Sequence, residues 1–283
     1  MTVAIALQVH DGVVLASDSA LTLTDPTKPP PDNVLNIYNN GNKIFNLHKG
    51  LPIGAAFYGA GSIGASSVPT LVKDLRLRFM GGSAGHKDWH IDEQNYTIEQ
   101  VVERARQFLF EENFKPLNLT AKGAQFGFIV AGYSSGAQLS EVWQFQIVDS
   151  DCNAAQIVMP QGIASSYAGG EPDVFLRLAN GVGANLPAAL KAIGIDDSEI
   201  PAKMAIIQSH LATPLVEPPM PIQDAIELAE FFVNATATFT RFKRGAGTVG
   251  GPTESTAITK HEGFKWVKRK HYYDECFNPR GEK

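Results

Sequence analysis

Cysteine is scarce in this chain, and the two that are present, Cys152 and Cys276, form no CxxC motif. Such a content excludes a disulfide-rich scaffold, and free thiols in a reducing cytoplasm are the simplest account. No apolar run reaches about 18 residues and no leader precedes the first strand, so we expect neither a membrane span nor a secretion signal. Positive charge is not in excess: 24 lysines and arginines face 29 aspartates and glutamates, a net charge of −5. This balance argues against nucleic acid or an anionic membrane as a partner.

Apolar residues are, in contrast, concentrated at the N-terminus. Thr2 to Val9 is a nearly unbroken apolar run, Asp11-Gly12 follows, and Val13 to Ala16 is a second run. The Asp-Gly pair suits a tight turn, so the pattern predicts a β-hairpin. Neither strand alternates with polar residues, so both faces should be covered and the hairpin should be central in its sheet.

The start of the first strand indicates a nucleophile. If Met1 is removed, Thr2 carries both a hydroxyl and a free amine of pKa ~8, and the neutral amine can act as base for that hydroxyl. Asp18 ends the second strand and should return to Thr2. Lys43 opens the next strand, and its charge beside a terminal amine would lower the pKa of that amine. Taken singly, Asp18 also fits a strand-end turn and Lys43 a solvated strand lysine.

These residues stand in four stretches, TVAIA, DGVVLASDS, NKIFNL and IGAAFYGAG, that together resemble proteasome-type threonine hydrolases. This family includes proteasome β subunits, HslV, Anbu and the betaproteobacterial proteasome homologue. The resemblance implies that Thr2 is the nucleophile and that Asp18 and Lys43 support it. It also implies that the backbone N–H of Gly59 contributes to the oxyanion hole, where a missing side chain lets the substrate approach.

The resemblance extends to substrate binding. It implies that Thr22, four residues after Asp18, contacts the substrate main chain. It implies that Phe57 lines the pocket for the side chain before the scissile bond. The match is good over residues 2–64 and weaker afterwards.

The order of elements along the chain is strands, two helices, strands, more helices and strands. This order fits an α+β fold and not alternating βαβ units, and the resemblance implies the four-layer αββα sandwich of the N-terminal nucleophile hydrolases. We expect one domain over residues 1–283. Relative to the family core it has insertions near 20–41, 80–95 and 180–220, and a charged C-terminal tail.

Local signals predict individual elements. Residues 20–41 form a proline-rich loop that cannot be a central strand. Ser62 to Phe79 is predicted to be a helix with a kink at Pro69. Thr97 and Gln100 have the spacing of a capping box at the start of a second helix. The other predicted elements are strands at 42–47, 51–59, 124–133, 141–149, 155–159, 253–259 and 263–268, and helices at 171–179, 186–193, 201–211 and 222–242.

Two other groups of side chains were weighed as binding sites. His86 and His90, with Asp88 and Asp92, have a spacing that a metal site could use, but the segment is rich in glycine and a solvated loop is favoured. The basic run at 265–271 is predicted to be a solvated face or a subunit contact. We therefore expect no metal and no cofactor.

Three positions depart from the family pattern. Ala20 stands where proteasome subunits usually have arginine, and Ala168-Gly169-Gly170 stands where a glycine-serine-glycine turn is usual. Thr248 is the nearest hydroxyl before Gly250-Gly251, where an aspartate and a serine are usual. These changes remove polar support around the nucleophile and bear on the rate and on whether the protein is active, not on the fold.

The sequence thus predicts a cytoplasmic threonine endopeptidase that acts on peptides or unfolded proteins. By resemblance it should form a double homo-oligomeric ring of six or seven subunits per ring, with an ATPase unfoldase as a further partner that the family allows. Two alternatives remain open: a hydrolase of small amides in the same superfamily, and an inactive ring-forming interaction protein.

Overall fold

The computed structural model describes residues 2–25, 27–29, 32–83, 85–118 and 125–270. The strands in this part of the chain are β1 (Val3–Val9), β2 (Gly12–Ser17), β3 (Leu21–Thr24), β4 (Val34–Tyr38), β5 (Ile44–Asn46), β6 (Ile53–Gly59), β7 (Ser62–Ile63), β8 (Ser66–Ser67), β9 (Gln125–Gly132), β10 (Glu141–Val148), β11 (Asp151–Cys152), β12 (Gln156–Met159), β13 (Ser165–Gly170), β14 (Glu254–Thr259) and β15 (Gly263–Lys268). The α-helices are α1 (Val68–Phe79), α2 (Ile98–Arg106), α3 (Asp173–Ala179), α4 (Leu186–Ala192), α5 (Ile200–Leu211) and α6 (Ile222–Phe242). A π-helical segment, Gln107–Phe114, continues α2.

Two large sheets organise the fold. The first has the order β13-β1-β2-β14-β15, and the second runs β11-β10-β9-β6-β5 with β12 also paired to β10. The β1–β2 hairpin is central in the first sheet, and every residue of both strands is buried. This confirms the prediction from the unbroken apolar runs.

Buried apolar side chains form three clusters. One joins the first sheet to α3 and α6. A second lies between the two sheets, and a third joins the second sheet to α1, α2 and the π-helical segment. The fold is therefore of the α+β class, with antiparallel sheets and helices in separate layers.

The hairpin turn lies one residue earlier than predicted. Val9 pairs with Gly12, so the turn residues are His10 and Asp11. Gly12 already belongs to β2, where a Cβ atom would lie 2.6 Å from the carbonyl oxygen of Ile258 on β14. The glycine is thus required by the close approach of a neighbouring strand and not by the turn.

The first helix is shorter than predicted. Ser62–Ile63 and Ser66–Ser67 pair as the small β7–β8 hairpin, and α1 begins at Val68. The Ser67 hydroxyl accepts a hydrogen bond from the Thr70 N–H at 3.2 Å and caps the helix. Pro69 lies in the first turn, where its missing N–H has no partner to lose, so it does not kink the helix.

The segment 20–41 is not a loop throughout. Its strands β3 and β4 form a separate two-stranded sheet, largely exposed. Of its four prolines, only Pro29 lies within the described residues. The predicted insertions at 80–95 and 180–220 contain a short 3-10 turn, Lys87–Trp89, and the helices α4 and α5 respectively.

Strand β13 was not predicted. Its sequence, SSYAGG, combines small and glycine residues that rank low as strand formers. Pairing with β1, from Val3 with Gly170 to Gln8 with Ser165, supplies the hydrogen bonds that fix it. Met1, Cys276 and the tail beyond residue 270 lie outside the described residues. Among the described residues, no helix combines the length and the apolar content that a membrane span requires.

Candidate active site

The β1–β2 pairing brings Asp18 beside the start of β1. Ala4 pairs with Ser17, so the next residue of the chain lies opposite Val3. One carboxylate oxygen of Asp18 accepts hydrogen bonds from the Val3 N–H at 3.1 Å and from Lys43 Nζ at 2.7 Å. Its other oxygen accepts from the N–H groups of Ala20 and Gly250, both at 3.0 Å. Four donors therefore satisfy a carboxylate that is only 1% exposed.

Lys43 completes a buried ion pair with this carboxylate. It lies immediately before β5 and is fully buried, with its backbone N–H donating to Glu254 at 3.3 Å and its carbonyl accepting from Phe57 N–H at 3.1 Å. Burial lowers the pKa of Lys43, while the adjacent Asp18 charge acts in the opposite direction. The lysine backbone is thus fixed by hydrogen bonds at both its N–H and its carbonyl, and Asp18 is the carboxylate within ion-pair distance of its side chain.

Thr2 is fixed by its neighbours in the first sheet. The residue is 1% exposed, and its carbonyl accepts a hydrogen bond from the Glu171 N–H at 2.8 Å. Gly170 packs directly on it: at φ +88°, a Cβ atom there would lie 1.9 Å from the Thr2 carbonyl oxygen. Position 170 therefore needs glycine both for its backbone conformation and for this contact.

Of the other three predicted site residues, Phe57 and Gly59 lie on β6 and Thr22 lies on β3. Gly59 ends β6 with φ +91°, one residue after Tyr58, which packs against Gly170. Phe57 is fully buried in the core of the second sheet and stacks between Phe45 and Phe126, with ring centroids 6.1 and 6.0 Å away.

Thr22 lies on β3 in the wall of a cavity of about 240 Å³. Thr248 lines the same cavity, is 5% exposed, and has an Oγ1 atom without a hydrogen-bond partner among the described residues. The structure thus connects Thr2, Asp18 and Lys43 through the Val3 backbone, and it places Thr22, Phe57 and Gly59 on other strands.

A second cation, the partly buried Lys270, contacts the residues around this group, and sequence reasoning missed it. Lys270 Nζ donates to the carbonyl of Gly41 at 2.7 Å, forms an ion pair with Glu254 at 3.2 Å and also donates to the Ser19 hydroxyl. Burial lowers the pKa of Lys270, and the Glu254 charge opposes that shift. Glu254 is 1% exposed and bonds both Lys270 and the Lys43 backbone, so it links the two lysines. An acidic residue at the start of the predicted closing strand, ESTAIT, was the only available signal.

The histidine-rich segment forms no metal centre in the described ranges. His86 Nδ1 lies 3.2 Å from the Ser83 hydroxyl, and its ring packs edge-on against Trp89. No group of three or more His, Cys, Asp or Glu side chains there is arranged to hold a metal ion.

Comparisons with known proteins identify the fold. No protein-family model matches the chain, and no curated protein does so significantly. The chain is similar to a solved chain from the helical assembly of the Anbu complex of Pseudomonas aeruginosa, with a TM-score of 0.51 and 13% sequence identity. The match covers 98% of this chain and 89% of that chain. At this identity the likeness concerns the fold alone.

Proposed function

We propose that this protein is a proteasome-type hydrolase in which Thr2, freed of Met1, attacks peptide bonds. The observation that carries the proposal is the buried Asp18–Lys43 pair, whose carboxylate also holds the first backbone N–H of β1. A fully buried ion pair is costly to desolvate and is weak evidence for stability alone. Its position beside the residue that would become the chain terminus gives it a chemical purpose.

The proposed reaction uses the amine of Thr2 as its base. The amine takes the hydroxyl proton while the oxygen attacks the peptide carbonyl, and it returns the proton to the leaving amine. The positive charge of Lys43 disfavours a protonated amine and favours the developing alkoxide. The N–H of Gly59 would donate to the oxyanion, and water would then hydrolyse the ester on Thr2.

Substrate would bind as an extended strand. Thr22 on the two-stranded β3–β4 sheet would pair with the substrate main chain, a common way of holding extended peptides. Phe57 would contribute the floor of the pocket for the side chain before the scissile bond. Its ring is fully buried between the rings of Phe45 and Phe126. Phe57 would therefore shape the pocket from beneath and would not be exposed on its surface.

The proposal extends to the fold and the assembly that are typical of proteasome-type hydrolases. The three apolar clusters fit a four-layer αββα sandwich in one domain over residues 1–283. The Anbu complex forms a helical assembly, which supports our proposal that this chain is a cytoplasmic homo-oligomer. Identical subunits in heterologous contact form either closed rings or open helices. We propose the closed double ring, fed with unfolded protein by an ATPase unfoldase, and electron microscopy distinguishes it from a helix.

An inactive ring-forming protein is the second candidate, and a specific observation favours it. Proteasome subunits usually place hydroxyl and carboxylate groups near the nucleophile, whereas here Ala168 and Thr248 occupy those regions. The Thr248 hydroxyl makes no hydrogen bond to any described residue. A hydrolase of small amides would keep the same chemistry with a different substrate.

Mass spectrometry of the intact chain with a proteasome-type covalent inhibitor tests the proposal. The expected result is a chain lacking Met1 that carries one inhibitor adduct, mapped to Thr2. A Thr2→Ala variant that is shown to be folded should carry no adduct, and Lys43→Ala should react with the inhibitor far more slowly. Retention of Met1 in reactive protein would contradict the mechanism, and a complete lack of adduct would favour the inactive protein. Turnover of small amides without cleavage of an unfolded protein would favour the amidase.

A further inference from the structure

A second cavity, of about 210 Å³, adjoins the residues that flank Lys43, and basic side chains are prominent in its walls. Five cationic side chains line it: Lys49, Lys73, Arg76, Arg269 and Lys270. They come from three separate parts of the chain: the turn before β6, helix α1, and the two residues that follow β15. The fold therefore brings these charges together, although the sequence spreads them out.

Almost no negative charge balances this group. Glu254 is the one carboxylate on the described wall of the cavity, and it is 1% exposed and already paired with Lys270 at 3.2 Å. The other four cations form no ion pair with any described carboxylate. The charge of Arg269 adds to burial in lowering the pKa of Arg76, and both residues line the cavity. Like charges held together without a counter-charge favour a bound anion.

The side chains are also preorganised. Lys73 and Arg76 are three residues apart on α1 and share one face of that helix, whose first turn is capped by Ser67. Arg269 lies over the Trp266 ring, with its guanidinium carbon 5.0 Å from the ring centroid. A guanidinium held in plane presents paired donors that match phosphate oxygens bidentately.

We propose that this cavity binds a small phosphate-bearing anion. Several uncompensated positive charges suit a multiply charged ligand better than a single carboxylate. The volume is several times the ~30 Å³ that one water occupies, yet lies below the roughly 300–1,000 Å³ of larger ligand pockets. Asn42 and Ile44, which flank Lys43, line the cavity as well. The site is therefore distinct from the proposed peptide site but adjoins it through the backbone of Lys43.

Isothermal titration of the full chain with inorganic pyrophosphate tests the assignment. We expect saturable binding of one pyrophosphate per chain, and weakening of about tenfold or more in the double variant Lys73→Gln/Arg76→Gln, since the variant removes two charged hydrogen-bond donors. Lys265→Gln is the matched control: this exposed lysine lies beside Trp266 on β15 but does not line the cavity. It should bind like the parent. If circular dichroism shows the double variant to be unfolded, Lys49→Gln, in an exposed turn, gives the same comparison with one charge removed.

Several results would overturn the proposal. They are no saturable binding to the parent chain, equal weakening in the control and the cavity variants, and unchanged binding in the cavity variants. Vesicles containing phosphatidylglycerol and a short RNA oligonucleotide serve as further probes. Cosedimentation with the vesicles would identify the ligand as a lipid headgroup and not a small anion. Displacement of pyrophosphate by RNA at lower concentration would identify it as a nucleic acid. Since every readout is binding, the outcome is independent of whether Thr2 is catalytic.

Discussion

Replacement of Asp18 by asparagine should destabilise the protein strongly, because it leaves the Lys43 charge buried without a partner. Lys43 and Asp18 are 0% and 1% exposed, so solvent does not screen the loss. Breaking a buried ion pair by removal of one partner costs about 3–5 kcal/mol. The asparagine amide would also direct N–H groups at backbone donors that now face a carboxylate oxygen. We therefore expect Asp18→Asn to lower the free energy of unfolding by about 3–5 kcal/mol.

A double-mutant cycle sharpens this expectation. Lys43→Met alone leaves a buried carboxylate that still accepts three backbone N–H bonds, so its cost should fall at the lower end of the same range. The combined variant buries no uncompensated charge. It should therefore be more stable than the sum of the single effects predicts, with a coupling of about 2 kcal/mol or more.

Urea unfolding, followed by tryptophan fluorescence and circular dichroism at one fixed protein concentration, measures these differences. Asp197→Asn is a suitable control because its ion pair with Lys191 is exposed, and it should change stability little. Additivity of the two single variants within about 0.5 kcal/mol would refute the coupling. A loss below about 1 kcal/mol for Asp18→Asn would refute the view that this carboxylate holds the site together.

Three further expectations follow from individual contacts. Gly170→Ala should reduce both stability and inhibitor labelling of Thr2, because the new Cβ meets the Thr2 carbonyl; normal labelling in a folded variant would contradict this. Burial raises the pKa of Cys152 to about 11, so in a Cys276→Ser background the thiol should react slowly with Ellman's reagent at pH 8 and faster as the pH approaches that value. Fast labelling at pH 8 in folded protein would show that the Cys152 thiol is not buried. The same pKa shift should lower the free energy of unfolding between about pH 9 and 11, because the thiol ionises at a lower pH in the unfolded chain than in the folded one. Light scattering at micromolar concentration should give an oligomer, and a monomeric mass would exclude the proposed double ring.

Local sequence signals were sufficient for elements that carry their own stabilising contacts. The capping box of α2 forms as predicted: the Thr97 hydroxyl accepts from the Gln100 N–H at 3.1 Å, and the Gln100 side chain accepts from the Thr97 N–H at 3.2 Å. Helix α6 follows directly from its apolar stripe after Pro221. In both cases the residues that decide the structure are within a few positions of one another, so the pattern is visible in the sequence.

Elements fixed by distant partners were missed. Strand β13 is a strand because β1 pairs with it, and SSYAGG contains no sign of that pairing. The contacts of the candidate site likewise divide into local ones, which the sequence predicts, and distant ones, which it does not. The proximity of Asp18 to the start of β1 follows from hairpin geometry, but the bond from Lys43 N–H to Glu254 joins residues 211 positions apart. Lys270 lies in a run of basic residues, and only its hydrogen bonds distinguish it from its exposed neighbours.

The carboxylate of Asp18 is bonded by residues from the beginning, the early part and the late part of the chain. Its partners on Val3, Ala20 and Lys43 leave the ribosome early, whereas Gly250, Glu254 and Lys270 emerge much later. A nascent chain that has not yet released this later segment lacks one donor to the carboxylate and the glutamate that fixes the lysine backbone. Under the proposed function, the nucleophile at residue 2 would therefore stay inactive until this later segment has been synthesised. The folding of that segment onto the site would itself be the activating step.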